Sequence, residues 1–333
     1  MKQRQRSFDL KGLIWGGIGL LLFLALVTSI ASRQALNDYL VAYQYRDDTT
    51  INTYAKRLKT TDRGTFLLRA SRAEVNTRES FNKNCAGLVE QTVVLGCYSQ
   101  QRIYVYDIHN PQLDGIKEVT MAHEMLHAAY ARLDSRERFK IDELVAAEYG
   151  RIADERFRET VKSYEKLEPG EQHNELHSML ATEHAQLGQE LEQYYARYFT
   201  DRKAVVTMAQ RYESVFRKLE TTQKTLVSEL EGIARDLETA IPAYEQSADR
   251  LMSDIDEFNR RADGGAFSSL GGFNTARSGL VARQNVLEAE RERINASVTR
   301  YNAGRQELDA LNLQAADLHK SIDSISTRKL PTL

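Results

Sequence analysis

The chain has too little of several things to belong to many common classes. Its 333 residues include only four prolines, too few for a proline-rich linker protein or a typical sandwich. Cysteine is almost absent: Cys85 and Cys97 are the only two, with no C-x-x-C pair and no third and fourth thiol. That excludes a cysteine-built zinc module. An excess of one charge is also missing. Lys and Arg number 45 against 47 Asp and Glu, a formal net charge of −2, so no basic field marks a nucleic-acid binder.

One long hydrophobic run is present. Residues 12–31, GLIWGGIGLLLFLALVTSIA, carry no charge, and as a helix they would reach about 30 Å, the thickness of a bilayer core. The preceding residues 1–11 hold Lys2, Arg4, Arg6 and Lys11 against Asp9 alone. The positive-inside rule then predicts a cytoplasmic basic tail, a single transmembrane helix at 12–31 and an exported remainder. A cleaved signal peptide ending near Ser29-Ile-Ala31 is the alternative, although the apolar run is longer than a usual signal core. Export makes a Cys85–Cys97 disulfide the natural expectation.

Along the exported part the patterns predict an α+β, mostly α chain. Residues 33–62 read as one polar-faced helix, GTFLLRAS (64–71) as a strand and 73–84 as a short helix. QTVVLGCY (91–98) and RIYVYDI (102–108) read as strands joined by the turn SQQ, and HNPQLDG (109–115) as a loop. Helices are expected at about 116–133, 136–166 and 173–200, with a break at 168–172. Together, 33–203 form the predicted small-sheet domain.

From about residue 204 to 327 the character changes to a helical hairpin. Apolar residues Tyr212, Phe216, Leu219, Leu226, Leu230, Ile233, Leu237, Ala240, Tyr244, Ala248, Leu251, Ile255 and Phe258 recur at gaps of three and four with Gln223 the one polar interruption, a heptad seam of about seven repeats. The segment 261–279 interrupts it with five of the chain's 18 glycines. A second seam resumes through Leu287, Ile294, Val298, Tyr301, Leu308, Ala315, Leu318, Ile322 and Ile325, so the two arms are expected to fold back as an antiparallel coiled coil. Such a hairpin can pair with itself, with a second copy or with a protein partner. Phe267, Leu270 and Phe273 at its turn would suit a partner if they are exposed.

Chemistry is concentrated in VTMAHEMLHAAY, residues 119–130. His123 and His127 stand four apart on a helix, so their imidazoles face one point. Glu124 lies about 100° around the same turn. Two imidazoles can hold Zn2+, the zinc lowers the pKa of a bound water, and the carboxylate takes its proton as general base. The strand RIYVYDI just before the helix could hold an extended peptide by strand addition.

EVTMAHEMLHAAYARL resembles the active-site helix of gluzincin-type zinc metallopeptidases, in particular the small membrane-associated minigluzincin-like ones. The resemblance spans about residues 60–200 and its specific part is the one short motif. It implies a mixed fold with a small sheet, an edge strand over a cleft, and peptide hydrolysis by zinc-activated water. The metzincin pattern is not met, since HEMLHAAYARL lacks the downstream glycine and third histidine. A gluzincin draws its third ligand, a glutamate, from a later helix. Glu183 in LHSMLATEHAQLG resembles that helix best, with Glu175 in NELHS and Glu148 in DELVAAEYG as alternatives. An oxyanion-stabilising donor could come from His177, His184, Tyr194 or Tyr195, while nothing in the spacing selects Asp142 or Glu143. The resulting expectation is a membrane-anchored zinc peptidase acting outside the cytoplasm on a peptide or protein substrate. The competing expectation is a cell-envelope coiled-coil scaffold carrying a non-catalytic HExxH module.

Overall fold

The computed structural model describes residues 33–85, 94–167 and 170–324. It is mostly helical, with one three-stranded sheet and a long helix pair. The described residues divide into two compact units, one from residues 33–213 with 321–324 and one of residues 214–320.

The first unit opens with two helices where one was expected. Helix α1 (residues 33–44) stops, and Asp48 starts α2 (Thr49–Arg57) by accepting the Ile51 N–H at 2.9 Å. Residues 64–71 are helical, not a strand: α3 (Asp62–Ala70) is capped by Thr61, which accepts the Gly64 N–H. Its apolar run of Phe66, Leu67 and Leu68 is too short for periodicity to separate helix from strand, and the cap decides. The segment 73–84 splits into β1 (Glu74–Asn76) and α4 (Arg78–Asn84), the latter started by Thr77. Of the strand expected at 91–98, residues 91–93 lie outside the described residues; β2 occupies Gly96–Ser99, and β3 follows at Arg102–Tyr106. The two-residue turn Gln100–Gln101 takes φ of 51° and 62°, the twist a tight hairpin requires.

β3 is the central strand, parallel to β1 and antiparallel to β2. Ile103 and Val105 are fully buried on it and belong to the core against which α5 (Ile116–Tyr130) packs. Nearly every residue of α5 is buried, including Met121, Ala122, Met125 and Leu126. Gly115 precedes it at φ 97°, and a Cβ there would lie 2.9 Å from Met208 Cβ. The expected helix 136–166 is broken at 152–154 into α6 (Ser135–Arg151) and α7 (Glu155–Leu167), with Asp154 accepting the Phe157 N–H. The helix expected at 173–200 is likewise two, α8 (Gln172–Glu183) and α9 (Gln189–Tyr195). Cys85 and Cys97 form the disulfide, joining the end of α4 to β2 and pointing to an oxidising compartment.

The expected single-pass membrane protein needs correction. The apolar segment 12–31 and the basic tail 1–11 lie outside the described residues, and among the described residues no helix is long and apolar enough to cross a membrane.

α10 (Arg202–Asp263) begins in the first unit, with Val205, Val206 and Ala209 buried, and continues into the second. In the second unit it forms one arm and α11 (Leu270–Ile322) the other. The heptad positions of the first arm are the ones that are buried or half-buried, from Phe216 and Leu219 to Ile255 and Phe258. Cross-arm contacts fix the antiparallel pairing: Arg300 meets Glu229 at 2.8 Å, Gln223 meets Asn312 at 2.9 Å, and a Cβ on Gly304 would lie 2.8 Å from Leu230 Cδ2. At the turn, Phe258, Phe267 and Phe273 stack on one another with ring centroids 5.1–5.3 Å apart. The expected exposed cluster is therefore closed on itself, and only Leu270, 76% exposed, stands clear.

Candidate metal centre

Helices α5 and α8 pack face to face and bring together His123, His127 and Glu175. His123 Nε2 lies 3.4 Å from Glu175 Oε2, and His127 Nε2 lies 3.3 Å from Glu175 Oε1. One ligand atom from each of the three residues fits within 4.8 Å of the others. Ligand atoms about 2.0–2.1 Å from a tetrahedral metal are about 3.3–3.4 Å from each other, so these separations match such a site.

The hydrogen bonds around the group leave the metal-facing atoms available. Asn174 Nδ2 donates to Glu171 Oε2 at 3.0 Å, which leaves Asn174 Oδ1 to accept from His127 Nδ1–H at 2.9 Å. Ser178 Oγ lies 3.4 Å from the same nitrogen. With its proton on Nδ1, His127 directs the Nε2 lone pair at the Glu175 side. Glu175 Oε2 is buried and makes no hydrogen bond, an orphaned acceptor that a cation would satisfy. Burial alone would push the Glu175 carboxyl up, but the His123 and His127 rings beside it outweigh that and hold it below the usual carboxylate range. The group is thus an anionic carboxylate with two imidazoles, and these residues fit a divalent transition metal such as zinc.

Glu124, beside His123 on α5, is buried at 6% exposure. Thr120, Glu124 and Ala128 lie four apart on one stripe of the helix with Arg132 just past its end, and β2 runs along that stripe. Tyr98 Oη is 3.0 Å from Arg132 Nη1, and Gly96 backs Thr120 and Glu124. Arg132 also makes a two-pronged pair with the buried Asp38 of α1 at 2.8 and 2.9 Å.

Glu183, the first choice for third ligand from sequence, is not part of the group; its third member is Glu175, one of the two alternatives. Both lie on α8, but eight residues separate them, a little over two turns and about 12 Å along the axis. Glu183 ends the helix, half-buried. Desolvation, and then the Glu213 and Glu175 carboxylates, push its pKa up to about 8. Glu148 is also elsewhere: its Oε2 accepts the Gly188 N–H at 3.0 Å at the start of α9 and meets Arg151 at 3.3 Å. That is an anion satisfying a helix N-terminus.

None of the four expected oxyanion donors makes a described hydrogen bond to the group. His177 is fully buried among the Tyr130, Tyr194 and Tyr195 rings, with Nε2 2.9 Å from Tyr194 Oη, and burial brings its pKa down to about 3. Tyr195 donates to the His177 carbonyl at 2.7 Å, and His184 packs edge-on against Phe157. The strand expected to hold a peptide, β3, is paired on both sides and cannot accept another; among the described strands β2 is the outer one on this side of the sheet. Asp142, unselected by spacing, accepts from Tyr130 Oη at 2.7 Å at the end of α5.

Sequence reasoning missed Asn174 and Ser178. The usable signal was local: in NELHS, Asn174, Glu175 and Ser178 share the first turns of one helix, and together they are polar residues on an otherwise core-forming segment. In comparison with known proteins, no family model, curated protein or solved structure matches the chain.

Proposed function

We propose that the chain is a zinc-dependent peptidase in which His123, His127 and Glu175 hold the metal and Glu124 is the general base. The observation that carries this reading is the pairing of both imidazoles with one buried carboxylate at 3.3 and 3.4 Å, on the helix that also presents Glu124. A metal held there would polarise a carbonyl and acidify a water. Glu124 would take up a proton as general base and deliver it to the departing amine. Asn174 keeps His127 in the tautomer that leaves Nε2 unprotonated. β2, the outer strand beside α5, can align an extended peptide by main-chain hydrogen bonds, which favours a peptide over a compact small substrate. The arrangement is similar to that of the gluzincin class, with Glu175 in the role first expected of Glu183.

The test uses the full chain, zinc-loaded, with a quenched-fluorescence peptide library. Glu124→Gln is expected to keep its zinc and lose hydrolysis by about 10²-fold or more, whereas His127→Ala loses both. Undiminished hydrolysis by Glu124→Gln refutes the mechanism.

A further inference from the structure

Gly96 opens the outer strand β2, paired opposite Val105 of β3. Glycine weakens a strand, by roughly 0.5–1 kcal/mol relative to alanine, so its presence asks for a reason. Backbone conformation is not the reason, because the positive-φ glycines are Gly115, Gly170 and Gly265 and Gly96 is not among them. Space is. A Cβ on Gly96 would lie 2.6 Å from Thr120 Cγ2, 2.7 Å from Glu124 Oε1 and 2.8 Å from Glu124 Cγ. The Glu124 side chain occupies the volume that any other residue at 96 would fill.

Neither partner can step aside cheaply. The contact reaches Glu124 at Cγ as well as at its tip, so relief needs rotation near the helix backbone and not a swing of the carboxylate alone. Glu124 is itself only 6% exposed, with core on the other faces of α5. β2 is fixed from the other side: the next residue, Cys97, is 3% exposed, pairs with Tyr104 of β3 and is tied to Cys85 at the end of α4.

We infer that Gly96 is a positioning residue for Glu124, a gap in the outer strand that sets where the carboxylate stands relative to the metal group. The inference rests on the peptidase reading and adds a specific requirement to it: β2 carries the wall against which the base is seated, and the Cys85–Cys97 bridge holds that wall. A misplacement of about 1 Å in a catalytic group can cost on the order of 10²-fold in rate. Gly96→Ala is expected to displace Glu124 without touching His123, His127 or Glu175.

The experiment compares wild type, Gly96→Ala, Glu124→Asp and the double variant as full chains, measuring zinc per chain, kcat and KM on the peptide library, and thermal unfolding. Gly96→Ala should lower kcat about 10²-fold at unchanged KM and unchanged zinc content. Added to Glu124→Asp, whose shorter side chain already withdraws from the contact, it should cause little further loss. Independently of activity, its Tm penalty should shrink in a Glu124→Ala background. If Gly96→Ala reduces the folded yield, Gly96→Ala with Thr120→Ala removes the threonine contact and leaves the carboxylate one to be read. Near wild-type kcat in Gly96→Ala, with Glu124→Gln inactive, overturns this inference and leaves the peptidase reading standing. Losses that multiply fully in the double variant also overturn it. No hydrolysis by zinc-loaded wild type overturns both together.

Discussion

Glu183→Gln, studied in metal-free protein, tests the electrostatics that separate the two carboxylates of α8. Glu183 has its pKa raised from 4.5 to about 8, first by desolvation and then by Glu213 and Glu175. Below pH 4.5 the group is protonated in both folded and unfolded chains and costs nothing. Between 4.5 and 8 the unfolded chain releases its proton while the folded chain keeps it, so stability falls as pH rises, and the loss levels off above 8. At about 1.36 kcal/mol per pKa unit the full shift would exceed 4 kcal/mol, but water reaches the half-buried carboxyl, and about 2 kcal/mol is the expected loss. Glutamine, neutral and of the same shape, removes this pH dependence. Urea unfolding at pH 4 and pH 9 should therefore show the variant gaining about 2 kcal/mol on wild type between the two conditions. Parallel pH profiles, or a wild type that gains on the variant as pH rises, would refute the reasoning.

Three further outcomes follow from the packing. Asn174→Ala should weaken zinc affinity about 10- to 100-fold through loss of the His127 Nδ1 partner, read by chelator competition; unchanged affinity contradicts the orienting role. Asp38→Ala leaves Arg132 buried without its carboxylate and should cost about 3 kcal/mol in denaturant unfolding, and a cost under about 1 kcal/mol would show the pair to be dispensable. Replacing Gln100–Gln101 by Asn–Gly, which suits the positive φ at both positions, should stabilise the chain by about 0.5–1 kcal/mol, and no gain would mean the turn is not under that strain.

Much of the architecture was readable from periodicity. The seam from Phe216 to Phe258 is legible because an antiparallel pair buries the same helix face for many turns, and the helix of His123 and His127 because four-residue spacing needs no tertiary information. Cys85–Cys97 was legible from count and expected compartment. The short elements were not. Residues 64–71 read equally as strand or helix until Thr61 caps them, and the breaks at Asp48, Asp154 and Gly188 hang on single residues. The third member of the candidate group was illegible for a different reason. Several carboxylates follow the motif, and which one meets the histidines depends on how α8 lies across α5, a relation that spacing does not contain. Glu175 faces α5 because Asn174 and Ser178, its neighbours on the first turns of α8, engage His127, whereas Glu183 sits two turns further on.

The most direct test of the account is zinc stoichiometry in the purified chain, with Glu175→Ala and Glu183→Ala beside it. The account predicts about one zinc per wild-type chain, retained in Glu183→Ala and lost or weakened in Glu175→Ala, where one of three ligands is gone. Zinc retained at full affinity in Glu175→Ala, or no zinc taken up by wild type, would contradict it.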